Sequence, residues 1–334
     1  MVFLQLFVML IVILIAAEVF TNALEHLGER LGISEGVTGS IFAAVGTALP
    51  ETSVPLLAIF AGTSNMETNH EIGVGAILGA PLMLATLSLF LMAMSVYKRR
   101  TATGHLRPER SGLVRDLNYF IFAFFLAAIA LYIPHEKAIY RYMLGFGMVM
   151  IYVVYVWQTI RASKGLVADG HATAAENEMF LCKVGLPNNM LVILAQLFLG
   201  LILLVAGAKG FINGVESAAE IIGISTLLLS LLIIPIATEL PEKVNSILWI
   251  RKGKDTLAFG NITGAMVFQG TLLPAIGIML TPWVPRKEVL IGIVLTLLAA
   301  IWLRAMASQK GGLRIWHLMV NGALYVSYLV IVLV

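Results

Sequence analysis

The chain is short of charge and of cysteine. Only 12% of its 334 residues are Asp, Glu, Lys or Arg, against 59% hydrophobic residues and a mean hydropathy of +0.93. A soluble globular chain carries about 25% charged residues, so this composition excludes a water-soluble fold and marks an integral membrane protein. Cys182 stands alone, which excludes an internal disulfide and any cysteine-rich metal site. Aspartate occurs only at Asp116, Asp169 and Asp255. All three are expected in loops or at span ends, which leaves no intramembrane aspartyl dyad. The histidines are scattered, and none stands in a His-Glu-x-x-His string. The chain therefore reads as no enzyme and as needing no cofactor. Its net charge of +3 carries no nucleic-acid signature, because the basic residues sit in short loops between apolar runs. The first run, from Val2 to Ala17, lacks a basic n-region and a convincing cleavage site, so it is expected to persist as a first span.

What the chain does have is a series of apolar stretches of bilayer length, about 20 residues each. They predict an all-α integral membrane protein with ten transmembrane helices, near 2–24, 36–61, 71–97, 116–134, 138–160, 187–210, 225–250, 256–280, 287–304 and 314–334. Residues 1–160 form a first group of five, 161–186 a polar linker and 187–334 a second group of five. Most lysines and arginines fall in alternate loops, with the cluster Lys98, Arg99, Arg100, Arg107, Arg110 and Arg115 dominating. The positive-inside bias then puts both termini outside a cell membrane and the 161–186 linker in the cytoplasm. The expected partners are the lipid bilayer and small cations, with no obligate protein partner.

The two groups repeat. Ala17, Phe20, Asn22, Glu25, Glu29, Gly32, Ile33 and Ser34 recur in register as Ala208, Phe211, Asn213, Glu216, Glu220, Gly223, Ile224 and Ser225. In the same register Thr47, Leu49, Pro50 and Glu51 recur as Thr238, Leu240, Pro241 and Glu242. After a short loop difference, Gly75, Ile77, Gly79 and Ala80 meet Gly260, Ile262, Gly264 and Ala265. Five spans is an odd number, so the second repeat must enter the membrane from the opposite side. Inverted repeats with broken helices at matching positions point to a secondary transporter.

The broken helices carry the chemistry. Pro50 and Pro241 each remove a backbone donor inside an apolar run, and Glu51 and Glu242 place carboxylates at a depth where they are expensive. Carboxylate, threonine hydroxyl and freed carbonyl are hard oxygen donors, suited to calcium, sodium or magnesium rather than zinc or copper. Two such carboxylates would match one divalent cation in charge, or two or three monovalent ions sharing the space. The plainer reading, in which prolines merely kink helices and glutamates cap freed amides, loses ground because the motif occurs twice at repeat spacing. Gly75-x-x-x-Gly79 and Gly260-x-x-x-Gly264 would let a neighbouring helix approach closely. That packing would bring Asn261, Thr263 and Gln269 near the broken helices.

Thr-x-Leu-Pro-Glu in the second helix of each repeat, followed by a Gly-x-x-x-Gly helix, resembles the two alpha-repeats of the sodium/calcium exchanger family, part of the cation/calcium antiporter superfamily. The resemblance covers essentially the whole chain. It implies calcium transport against sodium by alternating access, with Ca2+ and Na+ (or H+) as the transported ions. Carried over, Glu51 and Glu242 match the calcium-coordinating glutamates and make up the metal site. Thr47 and Thr238 match threonines whose oxygens help bind ions. Asn261, Asn245, Ser246 and Gln269 are secondary candidates. The sequence also departs from the family's Gly-Thr-Ser-Leu-Pro-Glu, with Ala48 in one half and Glu239 in the other replacing the serine, and it lacks several of the family's asparagines. Lys243 stands directly beside Glu242. Glu239 and Lys243 are four residues apart and share a helix face. They either neutralise each other, or the ammonium takes one of the sodium positions as a tethered ion. Two alternatives share the fold: a proton-coupled cation antiporter and a degenerate relative that does not transport.

Overall fold

The computed structural model describes residues 1–30, 49–167, 178–309 and 311–333. Apart from one pair of two-residue strands, its regular structure is helical. Along the chain run α1 (Val2–Arg30), α2 (Leu49–Ala61) and α3 (Met66–Met83), a π turn (Leu84–Ser88), α4 (Leu89–Arg100), α5 (Arg110–Ala130), α6 (Ala138–Val167) and the single turn α7 (Phe180–Lys183). Then follow α8 (Met190–Ile222), α9 (Thr226–Thr238), α10 (Leu240–Arg251), α11 (Asp255–Leu280), α12 (Lys287–Ser308) and α13 (Ile315–Leu333). Among the described residues, eight helical stretches are long and apolar enough to cross a bilayer, and two shorter apolar helices cover Glu51–Ala61 and Thr226–Ile236. The chain is an all-α membrane protein, and each apolar run predicted from the sequence carries helix. Helices are the outcome here because lipid offers backbone N–H and C=O groups no partner, so each span must satisfy its own.

Backbone packing divides the chain into two compact units, Met1–Asn69 with Ile160–Thr226, and His70–Thr159 with Leu227–Val334. Each unit draws on both sequence halves.

The first unit is built on α1 and α8. Glycines 200, 207, 210 and 214 recur at helical spacing on one face of α8, where added Cβ atoms would strike Phe20, Ile13, Met9 and Leu6 of α1. The partners descend as the glycines ascend, so the two helices run antiparallel in close contact. Without a hydrophobic difference between helix and lipid, such close approach is what holds spans together. Buried amides add to it. The Gln196 side chain donates to Val19 O at 3.0 Å and to Asn22 Oδ1 at 2.9 Å, and its Oε1 accepts from Leu181 N at 2.9 Å.

In the second unit, the loop after α4, the start of α11 and the end of α12 meet at one end. Asp255 Oδ2 accepts from Arg100 Nη1 at 2.9 Å and from Arg107 N at 2.8 Å, and Arg110 Nη2 donates to Ser308 O at 2.6 Å. The strands β1 (His105–Leu106) and β2 (Leu313–Arg314) pair antiparallel there. Loops grouped by their basic residues thus share one end of this unit. Glu109 caps α5, accepting from Ser111 N at 2.8 Å and Gly112 N at 2.6 Å. Hydrogen bonding, first from the Ser111 side chain and then from the Gly112 amide, holds its carboxyl below the usual glutamate range. A carboxylate depressed on folding adds stability that is full above its unfolded pKa and fades as pH falls through its folded value. Glu109→Gln should therefore lower the melting temperature at neutral pH and flatten the loss on acidification.

The two glycine pairs differ in their described surroundings. A Cβ on Gly75 would lie 2.7 Å from Leu227 O, and one on Gly79 would meet Leu231 O and, at 2.7 Å, the Pro235 ring. Pro235 has no N–H for the Leu231 carbonyl, and the bare Gly79 backbone covers that carbonyl. The close-packing expectation therefore holds for α3 against α9. For α11 the expectation stays open in the second span, since residues 31–48 lie outside the described residues; among the described residues a Cβ on Gly260 has nothing within 4 Å and one on Gly264 meets only Tyr155 Oη at 3.9 Å. Gly79→Ala is expected to cost about 1–3 kcal/mol by overpacking. Thermal melts of the detergent-purified variant against the wild type check the loss.

Candidate functional site

In the first half, the described part of α2 runs from Leu49 and carries Pro50 and Glu51. In the second half the repeated motif starts a helix: Leu240 and Pro241 open α10 and put Glu242 in its first turn, with Glu239 before them outside the helix. Proline is at home there, since its missing N–H is one of the donors a helix start leaves unused. First-turn N–H groups also favour a negative charge, which suits a carboxylate kept among apolar spans. Glu51 is 3% exposed and Glu242 5%. Thr47 lies outside the described residues.

In the second half the predicted helix break is visible. α9 ends at Thr238, Glu239 sits between the helices, and α10 follows at once. Pro241 offers no N–H to the Ala237 carbonyl. The Thr238 hydroxyl is buried and donates to Ile234 O at 3.1 Å, leaving its lone pairs as acceptors. The pair expected from four-residue spacing forms: Lys243 Nζ is 3.1 Å from Glu239 Oε2. The same ammonium donates to Pro235 O at 2.8 Å. Residues 235, 239 and 243 stack on one face across the break, and the lysine reaches back along it.

Among the secondary candidates, Asn261 and Ser246 come together. The Asn261 amide donates to Glu242 O at 3.0 Å and to Ser246 Oγ at 2.9 Å, which ties α11 to the first turns of α10. Gln269 is buried on α11, and its Oε1 has no hydrogen-bond partner among the described residues. Asn245 is exposed. Thr263, expected to face the broken helices, turns elsewhere and donates to Asp116 Oδ2 at 2.8 Å.

Asp116 is the residue that sequence reasoning misplaced. It lies within α5, 5% exposed, rather than in a loop or at a span end. Its Oδ1 accepts from Tyr155 Oη at 3.1 Å, and Arg115 Nε stands 3.7 Å away. Hydropathy placed the span boundary beside Asp116 because the apolar run begins only at Leu117. The helix actually starts at Arg110. With both oxygens bonded to neighbouring helices, Asp116 is a tie between α5, α6 and α11. Among the described residues no three His, Cys, Asp or Glu side chains cluster as a metal-ligand set, so a cation held here would draw on carbonyl, hydroxyl and amide oxygens as well as carboxylates.

The sodium/calcium exchanger protein family model matches residues 1–161 and 192–334. The protein CaxA of Alkalimonas amylolytica is 41% identical over 88 residues, which cover 26% of this chain and 28% of CaxA's length. The crystal structure of the H+/Ca2+ exchanger CAX superposes with a TM-score of 0.70 at 17% identity, covering 100% of this chain and 82% of that one. The sodium-calcium exchanger NCX_Mj gives 0.56 at 20% identity, with 99% of each chain covered. At such identities the two structures establish a shared fold and leave the coupling ion undecided. Matched along both halves, the chain belongs to the sodium/calcium exchanger protein family.

Proposed function

We propose that the protein is a secondary active antiporter that exchanges calcium, or another hard divalent cation, for sodium by alternating access. The carrying observation is the pair of buried glutamates, Glu51 and Glu242, each on a helix directly after Leu-Pro at matching repeat positions. Glu51 and Glu242 bind the divalent ion in this reading. Thr47 and Thr238 add oxygens, and Ser246, Asn261, Gln269 and Asn245 assist. Ten spans in two inverted repeats, 1–160 and 187–334, are the architecture we infer. The antiparallel contact of α1 with α8 supports it, because these two helices carry matching repeat stretches.

A second reading, proton-coupled exchange on the same fold, is favoured by the likeness to an H+/Ca2+ exchanger and by the Glu239–Lys243 pair in place of neutral residues. Calcium uptake into inside-out vesicles separates the two. Uptake driven by an outward sodium gradient, and not by a pH gradient, supports the sodium reading; the reverse supports the proton reading. No uptake under either gradient points to the non-transporting relative.

The orientation we propose puts both termini outside and the 161–186 linker in the cytoplasm. Cys182 is the only cysteine and is partly exposed on α7 in that linker. A membrane-impermeant maleimide should therefore label inside-out vesicles and spare right-side-out ones, with Cys182→Ser unlabelled in both.

A further inference from the structure

The second repeat carries an ion pair that the first lacks. The positions matching Glu239 and Lys243 are Ala48 and Thr52, neither of them charged. The added pair is buried, with Glu239 at 0% and Lys243 at 6% exposure. Burying two charges seldom stabilises a fold more than apolar side chains of similar volume would, so packing alone gives no reason for it.

The seat of the ammonium is informative. Nζ rests on one carboxylate oxygen, Glu239 Oε2, at 3.1 Å and on one main-chain carbonyl, Pro235 O, at 2.8 Å. Carboxylate plus helix carbonyl is the donor set that a desolvated alkali cation takes. The position is one turn from Glu242, and among the described residues Glu242 and Tyr325 also lie in electrostatic reach of Glu239. The second oxygen, Glu239 Oε1, is fully buried and has no hydrogen-bond partner among the described residues. The carboxylate therefore has coordinating capacity beyond the lysine.

We propose that the Lys243 ammonium serves as a covalently tethered monovalent cation, seated on Glu239 and the Pro235 carbonyl, in a position that would otherwise hold a mobile one. It adds no net charge to the site, because Glu239 and Lys243 cancel. The two motif glutamates are left to match one divalent ion. The inference rests on the antiporter reading for its consequence, which is that each cycle moves one monovalent cation fewer than a site with the position vacant. The binding claim itself needs no transport to test.

The test compares the wild type with Lys243→Met, Glu239→Gln and the double variant. Each is melted in detergent with sodium chloride against choline chloride at equal ionic strength. Lys243→Met leaves the Glu239 carboxylate without its cation. It should gain a sodium-dependent rise in melting temperature, roughly 2–4 °C at saturating sodium, beyond any shown by the wild type and the double variant. Glu239→Gln leaves an uncancelled ammonium near Glu242, so calcium should stabilise it less than the wild type, and the double variant should recover the wild-type response. If Lys243→Met cannot be purified, the Glu239→Gln and double-variant comparison decides. No sodium gain in Lys243→Met, or a calcium stabilisation that is measurable in the wild type and equal in Glu239→Gln, overturns the tether. Sodium- and pH-driven uptake by the wild type reports on the antiporter reading separately, so failure of one is not mistaken for failure of the other.

Discussion

Glu242→Gln and Glu51→Gln should each reduce calcium exchange to background while leaving a folded protein. Glutamine keeps the volume and one carbonyl oxygen but removes a full negative charge from a buried position, since Glu51 is 3% and Glu242 5% exposed. Truncating one member of a desolvated charge pair typically costs about 2–5 kcal/mol, roughly thirty-fold to several-thousand-fold in affinity. A divalent ion opposite two carboxylates should fall at the upper end, because the remaining site is one charge short. Calcium-dependent thermal stabilisation should disappear in parallel, since a ligand raises the melting temperature only as far as it binds the folded state. Glu220→Gln is the control. Glu220 also has a glutamate partner in the repeat, Glu29, yet both are exposed, and uptake should be unchanged. Full calcium exchange by either motif variant would remove the carboxylate pair from the mechanism.

The largest expected loss of stability comes from a residue outside the motif. Arg141, in the first turns of α6, is 2% exposed. Its guanidinium donates to Ile278 O at 2.9 Å, Thr281 O at 2.5 Å, Pro282 O at 2.8 Å and, more weakly, Ile133 O at 3.4 Å. Three of these carbonyls belong to the C-terminal end of α11 and the turn after it. A helix end leaves carbonyls unbonded and carries partial negative charge, so one buried cation answers both needs. Arg141→Ala would strand those carbonyls together in an apolar setting. At about 1–3 kcal/mol for each unsatisfied buried group, and with partial relaxation, a loss of about 3–5 kcal/mol is expected. Arg141→Lys keeps the charge but lacks the planar fork that spans several acceptors, and should lie between alanine and wild type. Melting in detergent measures both. Because α11 also carries Asn261, the alanine variant should lose exchange activity along with stability.

The motif was legible because its signals are local. Threonine, proline and glutamate inside a hydrophobic run are each out of place there, and their recurrence at repeat spacing needs no folding to see. The Glu239–Lys243 pair was legible for the same reason, since four-residue spacing fixes a shared helix face. Asp116 was not. Its burial depends on Tyr155 and Thr263 arriving from two other helices, and hydropathy alone places an aspartate at a span end. Gly75 and Gly79 back onto the carbonyls of α9, while Gly260 and Gly264, with the same spacing, meet among the described residues only the Tyr155 hydroxyl, at Gly264. A small-residue stripe states that a neighbour can approach, and the packing of the other helices decides whether one does.

The sequence by itself determined that this is a membrane protein of helices, that its two halves repeat, and that a carboxylate follows a proline at matching places in each. Composition, period and identity are properties of the chain, and lipid leaves helices as the way for these runs to satisfy their backbones. Tertiary structure alone decided which polar groups serve as ties and which stay available. Asn261 was turned to Glu242 and Ser246, Thr263 to Asp116, Arg141 to the end of α11, and Lys243 back to a main-chain carbonyl two turns away. The physical reason is that a buried polar group must find a partner, and the partners here come from helices far apart in the chain or from a carbonyl position that only the folded helix sets.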